Sequence, residues 1–135
     1  NRCHLARAAL ESIAFQSDDL LRLMAGALGR DPGVLRADGG GSANNLLMQM
    51  QADLSGVRVQ RPREQETTAL GAALLAGVGA GLIEGPGEAA ALWQPERYFE
   101  PSIDAQARED RRAGWAKAVN TCLQDAGQRE GTACS

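Results

Sequence analysis

Apolar residues in the first part of the chain recur at helical spacing, with one short extended run between two helices. From Leu5 to Leu28 they alternate with charged residues in a pattern that predicts a long amphipathic helix, which ends near Gly29. Residues 34–38 contain β-favouring side chains and predict a strand. A second apolar face predicts another helix over about residues 43–54.

The strand and helix patterns alternate again in the middle of the chain. Residues 57–60 alternate apolar and polar side chains up to Arg61-Pro62, which predicts a second short strand. Thr67 is the predicted N-cap of a third helix that extends to about Ile83. The order helix, strand, helix, strand, helix is typical of an α/β domain, with short strands and helices packed on them.

The last third of the chain has a different composition. Residues 84–102 contain three of the five prolines, so they predict an irregular crossing segment. A last helix is predicted from Ile103 to about Gln124. We therefore expect one domain over residues 1–125, followed by a flexible polar tail over residues 126–135.

The third predicted helix is rich in small residues. Glycine inside a helix costs about 1 kcal/mol relative to alanine, so its repeated use predicts close packing against another backbone. We expect this helix to press tightly on the sheet through its small residues, which are Ala69, Gly71, Ala72, Ala73, Ala76, Gly77, Gly79 and Ala80.

Composition and charge narrow the class of protein. The chain has 135 residues, 44% hydrophobic and 23% charged, which is typical of a soluble globular domain. Its formal net charge of −3 gives no electrostatic reason to expect nucleic acid as a partner. The longest apolar stretch, residues 69–83, is shorter than the about 20 residues that cross a bilayer, so no membrane insertion is expected.

Cysteine and histidine are too few for a structural zinc site. Cys3, Cys122 and Cys134 form no CxxC pair, and His4 is the one histidine. The pattern is typical of free thiols in a reducing compartment, so a cytoplasmic location is expected.

Three glycines join the first predicted strand to the helix after it, in the sequence DGGGSANN at residues 38–45. Ser42 is the predicted N-cap of that helix. The glycines favour a tight turn, since glycine tolerates positive φ. A P-loop needs a lysine at the helix start, which is missing, and a dinucleotide fingerprint needs a third glycine where Asn44 stands.

A further interpretation is that the segment binds a nucleotide in the same physical way as these motifs, although neither sequence fingerprint is present. Bare glycine backbone and helix-starting N–H groups can hold the polar groups of a nucleotide without a lysine. Asn44 would add both a donor and an acceptor to such a site. The competing interpretation is a simple turn followed by an exposed polar residue.

The glycines occur together with other elements that resemble a known family. Asp38-Gly39-Gly40, Asn44-Asn45, the QMQAD element at residues 49–53, a strand that ends at Pro62 and ETTALGAA at residues 66–73 are similar to the C-terminal domain of the FGGY carbohydrate kinases. HLARAALE at residues 4–11 fits part of the family's C-terminal signature. The double asparagine and the QAD element resemble the members that phosphorylate glycerol.

The resemblance implies an actin-like ATPase fold of the ribonuclease H type, in which two domains close over ATP. It also implies transfer of the γ-phosphate of ATP, with Mg²⁺, to glycerol, which yields sn-glycerol 3-phosphate. By the same resemblance, Gly40 and Asn44 contact the adenine nucleotide and Gly39 supports them. Gly71 and Ala72 would pack behind the site.

The catalytic and glycerol-binding residues of the family have no counterpart here. The family's catalytic aspartate, its glycerol-binding residues and its first phosphate loop precede the region that this sequence resembles, so we expect an N-terminally truncated chain that is inactive alone. Full-length members commonly form homo-oligomers. The alternatives are another FGGY kinase, acting on a pentulose, or a noncatalytic actin-like nucleotide-binding module.

Overall fold

The computed structural model describes residues 1–64 and 66–132, with side chains through residue 125. It contains five α-helices, three strands and one 3-10 turn within these residues. In chain order they are α1 (Arg2–Leu28), β1 (Val34–Arg36), the 3-10 turn (Gly40–Ala43), α2 (Asn45–Ser55), β2 (Arg58–Pro62), α3 (Thr67–Gly79), α4 (Pro86–Ala91), β3 (Pro95–Phe99) and α5 (Ala105–Thr132).

The first two α-helices follow the sequence pattern closely. Asn1 caps α1, because its side-chain oxygen accepts hydrogen bonds from the backbone N–H groups of Cys3 and His4. Gly29 ends α1 and Gly56 ends α2, both in the left-handed conformation with φ of 65° and 72°. The predicted end of the first helix is thus confirmed.

The three strands form one mixed sheet in the order β1, β2, β3. β1 and β2 are parallel, with Leu35 opposite Val59, and α2 is the connection between them. β2 and β3 are antiparallel, with Val59 opposite Phe99. The parallel pair is therefore a β-α-β unit, in which the carboxyl ends of both strands lie at the same edge of the sheet.

The core lies where α2 covers the sheet and α1 packs on α2. Val59 of β2 and Ala52 of α2 are fully buried, and Phe99 of β3 is 2% exposed. The same cluster contains Ala14, Leu47, Met48, Met50 and Leu54. This arrangement holds the loop between β1 and α2 at one end of a rigid unit.

The region predicted as an irregular crossing segment, residues 84–102, contains a helix and a strand, so that prediction is wrong. Pro86 starts α4, where a proline loses no helical hydrogen bond. Pro95 is the first residue of β3, a position that tolerates a missing N–H. Arg97 and Tyr98 of β3 pair with Arg61 and Gln60 of β2, respectively.

The small-residue helix α3 differs from its prediction in three respects. Its N-cap is Glu66 rather than Thr67, and it ends at Gly79 rather than near Ile83. No residue of α3 is buried, and a Cβ added at Gly71 would meet nothing within 4 Å. The prediction that α3 presses tightly on the sheet through its small residues is therefore wrong for the part of the chain that the structure describes.

The chain divides into two units, Asn1–Ser102 and a second that starts at Ile103. In the second unit, the side chain of Asp104 accepts a hydrogen bond of 2.7 Å from the N–H of Ala107 at the start of α5. α5 continues to Thr132, beyond the predicted end near Gln124. One domain over residues 1–125 and a flexible tail over 126–135 stay predictions; the side chains of the tail lie outside the described residues.

No helix in the described parts of the chain has the length and hydropathy needed to cross a membrane.

Candidate functional site

The predicted site residues lie together in one segment, residues 39–45, which we call the glycine segment. It follows β1 and leads into α2, so it lies at the carboxyl end of a parallel strand. In open α/β sheets, ligands bind in the crevice beyond these strand ends. Gly39, Gly40 and Asn44 are thus placed where the fold can present them to a ligand.

Gly39 makes the sharp change of direction after the strand. Its φ of 75° and ψ of 176° lie in a region of backbone conformation that is essentially restricted to glycine. Its carbonyl oxygen accepts two hydrogen bonds from Ser42, one from the backbone N–H (3.0 Å) and one from Oγ (2.7 Å). Ser42 is 1% exposed. The serine therefore closes the 3-10 turn, and the prediction that it caps α2 is wrong.

Gly40 presents bare backbone at the surface. It is the first residue of the 3-10 turn, and the first N–H groups of such a turn have no partner within it. Gly40 is exposed, and a Cβ added there would meet nothing within 4 Å. The space beside its Cα is therefore open to a ligand atom.

Asn44 caps α2. Its Oδ1 accepts hydrogen bonds from the N–H groups of Leu46 (3.0 Å) and Leu47 (3.2 Å). Both lone pairs of this oxygen are thereby used, so the side chain offers a ligand the Nδ2 donor only. The expectation that Asn44 supplies both a donor and an acceptor is corrected on this point. Asn44 itself is exposed.

Arg61 is a site residue that sequence reasoning missed. It lies near the carboxyl end of β2, next to the glycine segment, and is 7% exposed. Its Nη1 donates hydrogen bonds to the carbonyl oxygen of Ser42 (3.0 Å) and to Oδ1 of Asn45 (2.9 Å). The signal that could have found it is the period of the strand. Arg61 lies two residues after Val59, and so on the same, buried face.

The chemistry of this segment is suited to binding rather than to bond breaking. It offers neutral N–H donors and the amides of Asn44 and Asn45, while its one hydroxyl, that of Ser42, is buried and donates to Gly39. Among residues 1–64 and 66–125, no group of three or more histidine, cysteine, aspartate or glutamate side chains is placed to hold a metal ion. The segment can therefore recognise a polar ligand with hydrogen-bond acceptors, such as a nucleotide.

Comparison with known proteins assigns the family. The model of the FGGY family of carbohydrate kinases, C-terminal domain, matches residues 1–80, which is more than half of the chain. The chain belongs to the FGGY family. The match includes the glycine segment and all of α3.

Curated relatives of this FGGY chain include glycerol kinases. It is 52% identical over 122 residues to the glycerol kinase of Citrifermentans bemidjiense, covering 90% of this chain and 24% of that protein. It is 56% identical over 116 residues to the glycerol kinase of Burkholderia pseudomallei, covering 86% of this chain and 23% of that protein. The chain thus spans about a quarter of the length of these relatives.

A solved structure supports the assignment to the FGGY family. The crystal structure of Plasmodium falciparum glycerol kinase with ADP superposes with a TM-score of 0.80 at 31% identity, covering 90% of this chain and 24% of that one. The predicted actin-like ATPase fold of the FGGY kinases is confirmed.

Proposed function

We propose that this chain is the nucleotide-binding part of a longer glycerol kinase. The proposed reaction moves the γ-phosphoryl group of ATP to a hydroxyl oxygen of glycerol, which gives ADP and sn-glycerol 3-phosphate. The observation that carries the proposal is the exposed glycine segment at the carboxyl end of β1, in a chain 52% identical to a curated glycerol kinase.

Gly40 and Asn44 would recognise the adenosine side of the nucleotide. Gly40 offers bare backbone with open space beside it, and Asn44 offers the Nδ2 donor that its capping role leaves over. Nδ2 would donate to an acceptor oxygen or ring nitrogen of the nucleotide. Gly39 would support both residues by setting the direction of the chain.

The bond-making part of the reaction is assigned outside this chain. The P–O bond between the β- and γ-phosphates breaks and a P–O bond to glycerol forms, while the hydroxyl proton passes to a base that these residues do not supply. Phosphoryl transfer depends chiefly on positioning and charge stabilisation from both sides of the cleft. The chain alone should therefore bind without catalysing.

Mg²⁺ belongs to the proposal as a companion of the ATP phosphates. It usually keeps several waters and binds through one or two carboxylates plus phosphate oxygens. The described residues offer no carboxylate cluster for it, so no residue of this chain is assigned to the metal. Glycerol would likewise be bound mainly by the remainder of the protein, which we propose is a cytoplasmic homo-oligomer.

A coupled assay of ADP release by the intact protein tests the proposed activity. We expect glycerol to be a far better substrate than xylulose or another pentulose, judged by kcat/KM. Preferential turnover of a pentulose would replace glycerol with that sugar, and no ADP release with any polyol would refute the kinase assignment.

A substitution that keeps the helix cap tests the nucleotide site. Asn44→Ser retains an oxygen that can cap α2 but removes the Nδ2 donor, whereas Asn44→Ala removes both. In the intact protein, both changes should weaken ADP binding by roughly three- to tenfold, the worth of one neutral hydrogen bond. Glycerol binding should change little. Equal ADP affinities for Asn44→Ser and the parent protein, by calorimetry, would rule out the proposed contact.

A further inference from the structure

Arg61 is the most unusual residue near the proposed site, because arginine is almost never fully buried unless it is paired. It is 7% exposed, at the end of a strand whose neighbouring inward residue, Val59, belongs to the core. Among the residues whose side chains are described, the three other buried polar or charged ones are Asp18, Ser42 and Asp53. Of these four residues, Arg61 is the one that lies on the sheet, and its side chain reaches the backbone of the glycine segment.

The Nη1 atom of Arg61 contacts residues on both sides of Asn44 in the sequence. Nη1 lies 3.0 Å from the carbonyl oxygen of Ser42, 3.4 Å from that of Ala43 and 2.9 Å from Oδ1 of Asn45. One nitrogen with two hydrogens thus serves three acceptors, so the longest contact is shared. Two of these acceptors precede Asn44 and one follows it.

The guanidinium group is itself held in place from β3. Nε of Arg61 donates to Oε2 of Glu96 at 2.9 Å, and the ring centroid of Phe99 lies 5.8 Å from the guanidinium carbon. A fixed, planar fork can face a carboxylate with one nitrogen and backbone carbonyls with another, which the point charge of a lysine cannot do. The contact therefore requires arginine specifically.

Stability alone explains this arrangement poorly. A buried ion pair is often replaceable by packed apolar residues without loss of stability, since desolvation offsets the attraction. A charged fork does, however, fix the orientation of the acceptors that it binds. Here those acceptors flank Asn44, whose extended backbone (φ −81°, ψ 102°) separates the 3-10 turn from α2.

We propose that Arg61 is a positioning residue for the nucleotide: it holds the backbone carbonyl groups before Asn44 and the side chain of Asn45 after it, so that the Asn44 amide is oriented before the ligand arrives. This inference rests on the proposed nucleotide role of Asn44. Pre-organisation of this kind strengthens binding because the bound geometry needs no ordering when the ligand enters.

Calorimetric titration of the intact protein with ADP tests the inference through a double-mutant cycle. The variants are Arg61→Lys, Asn44→Ala and the two combined. Arg61→Lys should raise the ADP dissociation constant by roughly threefold or more, up to the roughly three- to tenfold effect of Asn44→Ala, since it can lose no more than the one ligand hydrogen bond of Asn44. Because Arg61 acts through Asn44, the combined variant should bind about as weakly as Asn44→Ala alone.

Arg58→Lys is the matched control. Arg58 lies on the same strand and also forms an ion pair, with Glu100, but its side chain is 48% exposed and contacts β3 rather than the glycine segment. ADP affinity of this variant should equal that of the parent protein. A drop as large as that of Arg61→Lys would overturn the inference, because it would show a general effect of the strand.

The binding stoichiometry separates positioning from loss of folded protein. A merely structural role lowers the fraction of molecules that bind ADP and leaves the dissociation constant of the folded fraction unchanged, whereas positioning raises the constant. If Arg61→Lys fails to fold, Glu96→Ala takes its place, since Glu96 is half-exposed and alanine removes the oxygen that orients the same guanidinium group. We expect that change to weaken ADP binding in the same direction.

The outcomes distinguish this inference from the proposed function. If Asn44→Ala weakens ADP binding but Arg61→Lys does not, or if their effects multiply, the positioning role is wrong and the site stands. If Asn44→Ala leaves ADP affinity unchanged, the proposed nucleotide contact fails and the positioning inference fails with it.

Discussion

Gly39 and Gly40 are neighbours, but replacing each should have a different consequence. At Gly39 the backbone itself demands glycine, with φ of 75° and ψ of 176°. At Gly40 the backbone does not, since its φ is not among the positive values in the described chain. A Cβ would meet nothing within 4 Å at either position, so crowding within the protein explains neither glycine.

The magnitude for Gly39→Ala follows from the backbone conformation. A non-glycine residue in this region costs about 1–3 kcal/mol, while the stiffer unfolded chain returns about 0.4–1 kcal/mol. The free energy of unfolding should therefore fall by roughly 1–2 kcal/mol, or several degrees in the melting temperature. For Gly40→Val we expect a change below about 1 kcal/mol, because glycine and valine both have weak helical propensity.

Ligand binding should show the opposite order. The branched side chain of Gly40→Val would occupy the open space through which the nucleotide approaches, so ADP affinity should fall at least about tenfold. Gly39→Ala should reduce affinity less than Gly40→Val at temperatures where the variant remains folded. Gly26→Val is the control, since Gly26 is exposed in α1 with nothing within 4 Å of an added Cβ.

Thermal unfolding followed by circular dichroism and ADP calorimetry measure the two effects separately. Full ADP affinity in Gly40→Val would refute the close approach of the nucleotide to this backbone. An unchanged melting temperature in Gly39→Ala would refute the argument from strain. A loss of ADP affinity in Gly26→Val would show that the assay reports damage remote from the site.

Three further changes test the scaffold by thermal or urea unfolding. Asn44→Ala should cost about 1 kcal/mol through the lost cap, and Asn44→Ser only a few tenths; equal losses would argue against the capping role. Met48→Ala, at 2% exposure, should cost about 2–5 kcal/mol, whereas Leu46→Ala on the same helix, at 49% exposure, should cost less than about 1 kcal/mol. Asp53→Ala should cost about 1.5–3 kcal/mol, because its Oδ1 accepts bonds from Gln49 and Ser102. The exposed Asp110, which also pairs with a glutamine four residues before it, is the control and should tolerate alanine within about 0.5 kcal/mol.

The elements that the sequence predicts well carry their own local signals. α1 and α2 each have an apolar face and a glycine directly after the last turn, and both glycines adopt the left-handed conformation. β1 and β2 have β-favouring residues before clear breaks in the pattern. Periodicity and stop signals are properties of the nearest few residues, so they can be read without the fold.

The elements that the sequence does not predict depend on pairing partners far away in the chain, or on the place of a residue within its element. β3 has two consecutive charged residues, Glu96 and Arg97, instead of a clear alternation, and it becomes a strand by pairing with β2, about 35 residues earlier in the chain. Pro86 and Pro95 suggested irregular structure, although each occupies the first residue of its element. Ser42 and Asn44 are equally good caps by composition. The 3-10 turn, which contains Ser42, decides between them because it commits the Ser42 hydroxyl to Gly39.

The place of Arg61 follows from the topology once that topology is known. In a β-α-β unit, the residues after the first strand lie beside the last residues of the second, because both strands end at the same edge of the sheet. A ligand-binding segment after β1 is therefore next to whichever inward-facing side chain ends β2. Successive side chains of a strand point to opposite faces of the sheet. Val59 faces inward and Gln60 faces the other way, so Arg61 is the residue that faces inward near the end of β2. A segment built on flexible glycines thus obtains its fixed shape from a neighbouring strand as well as from its own turn.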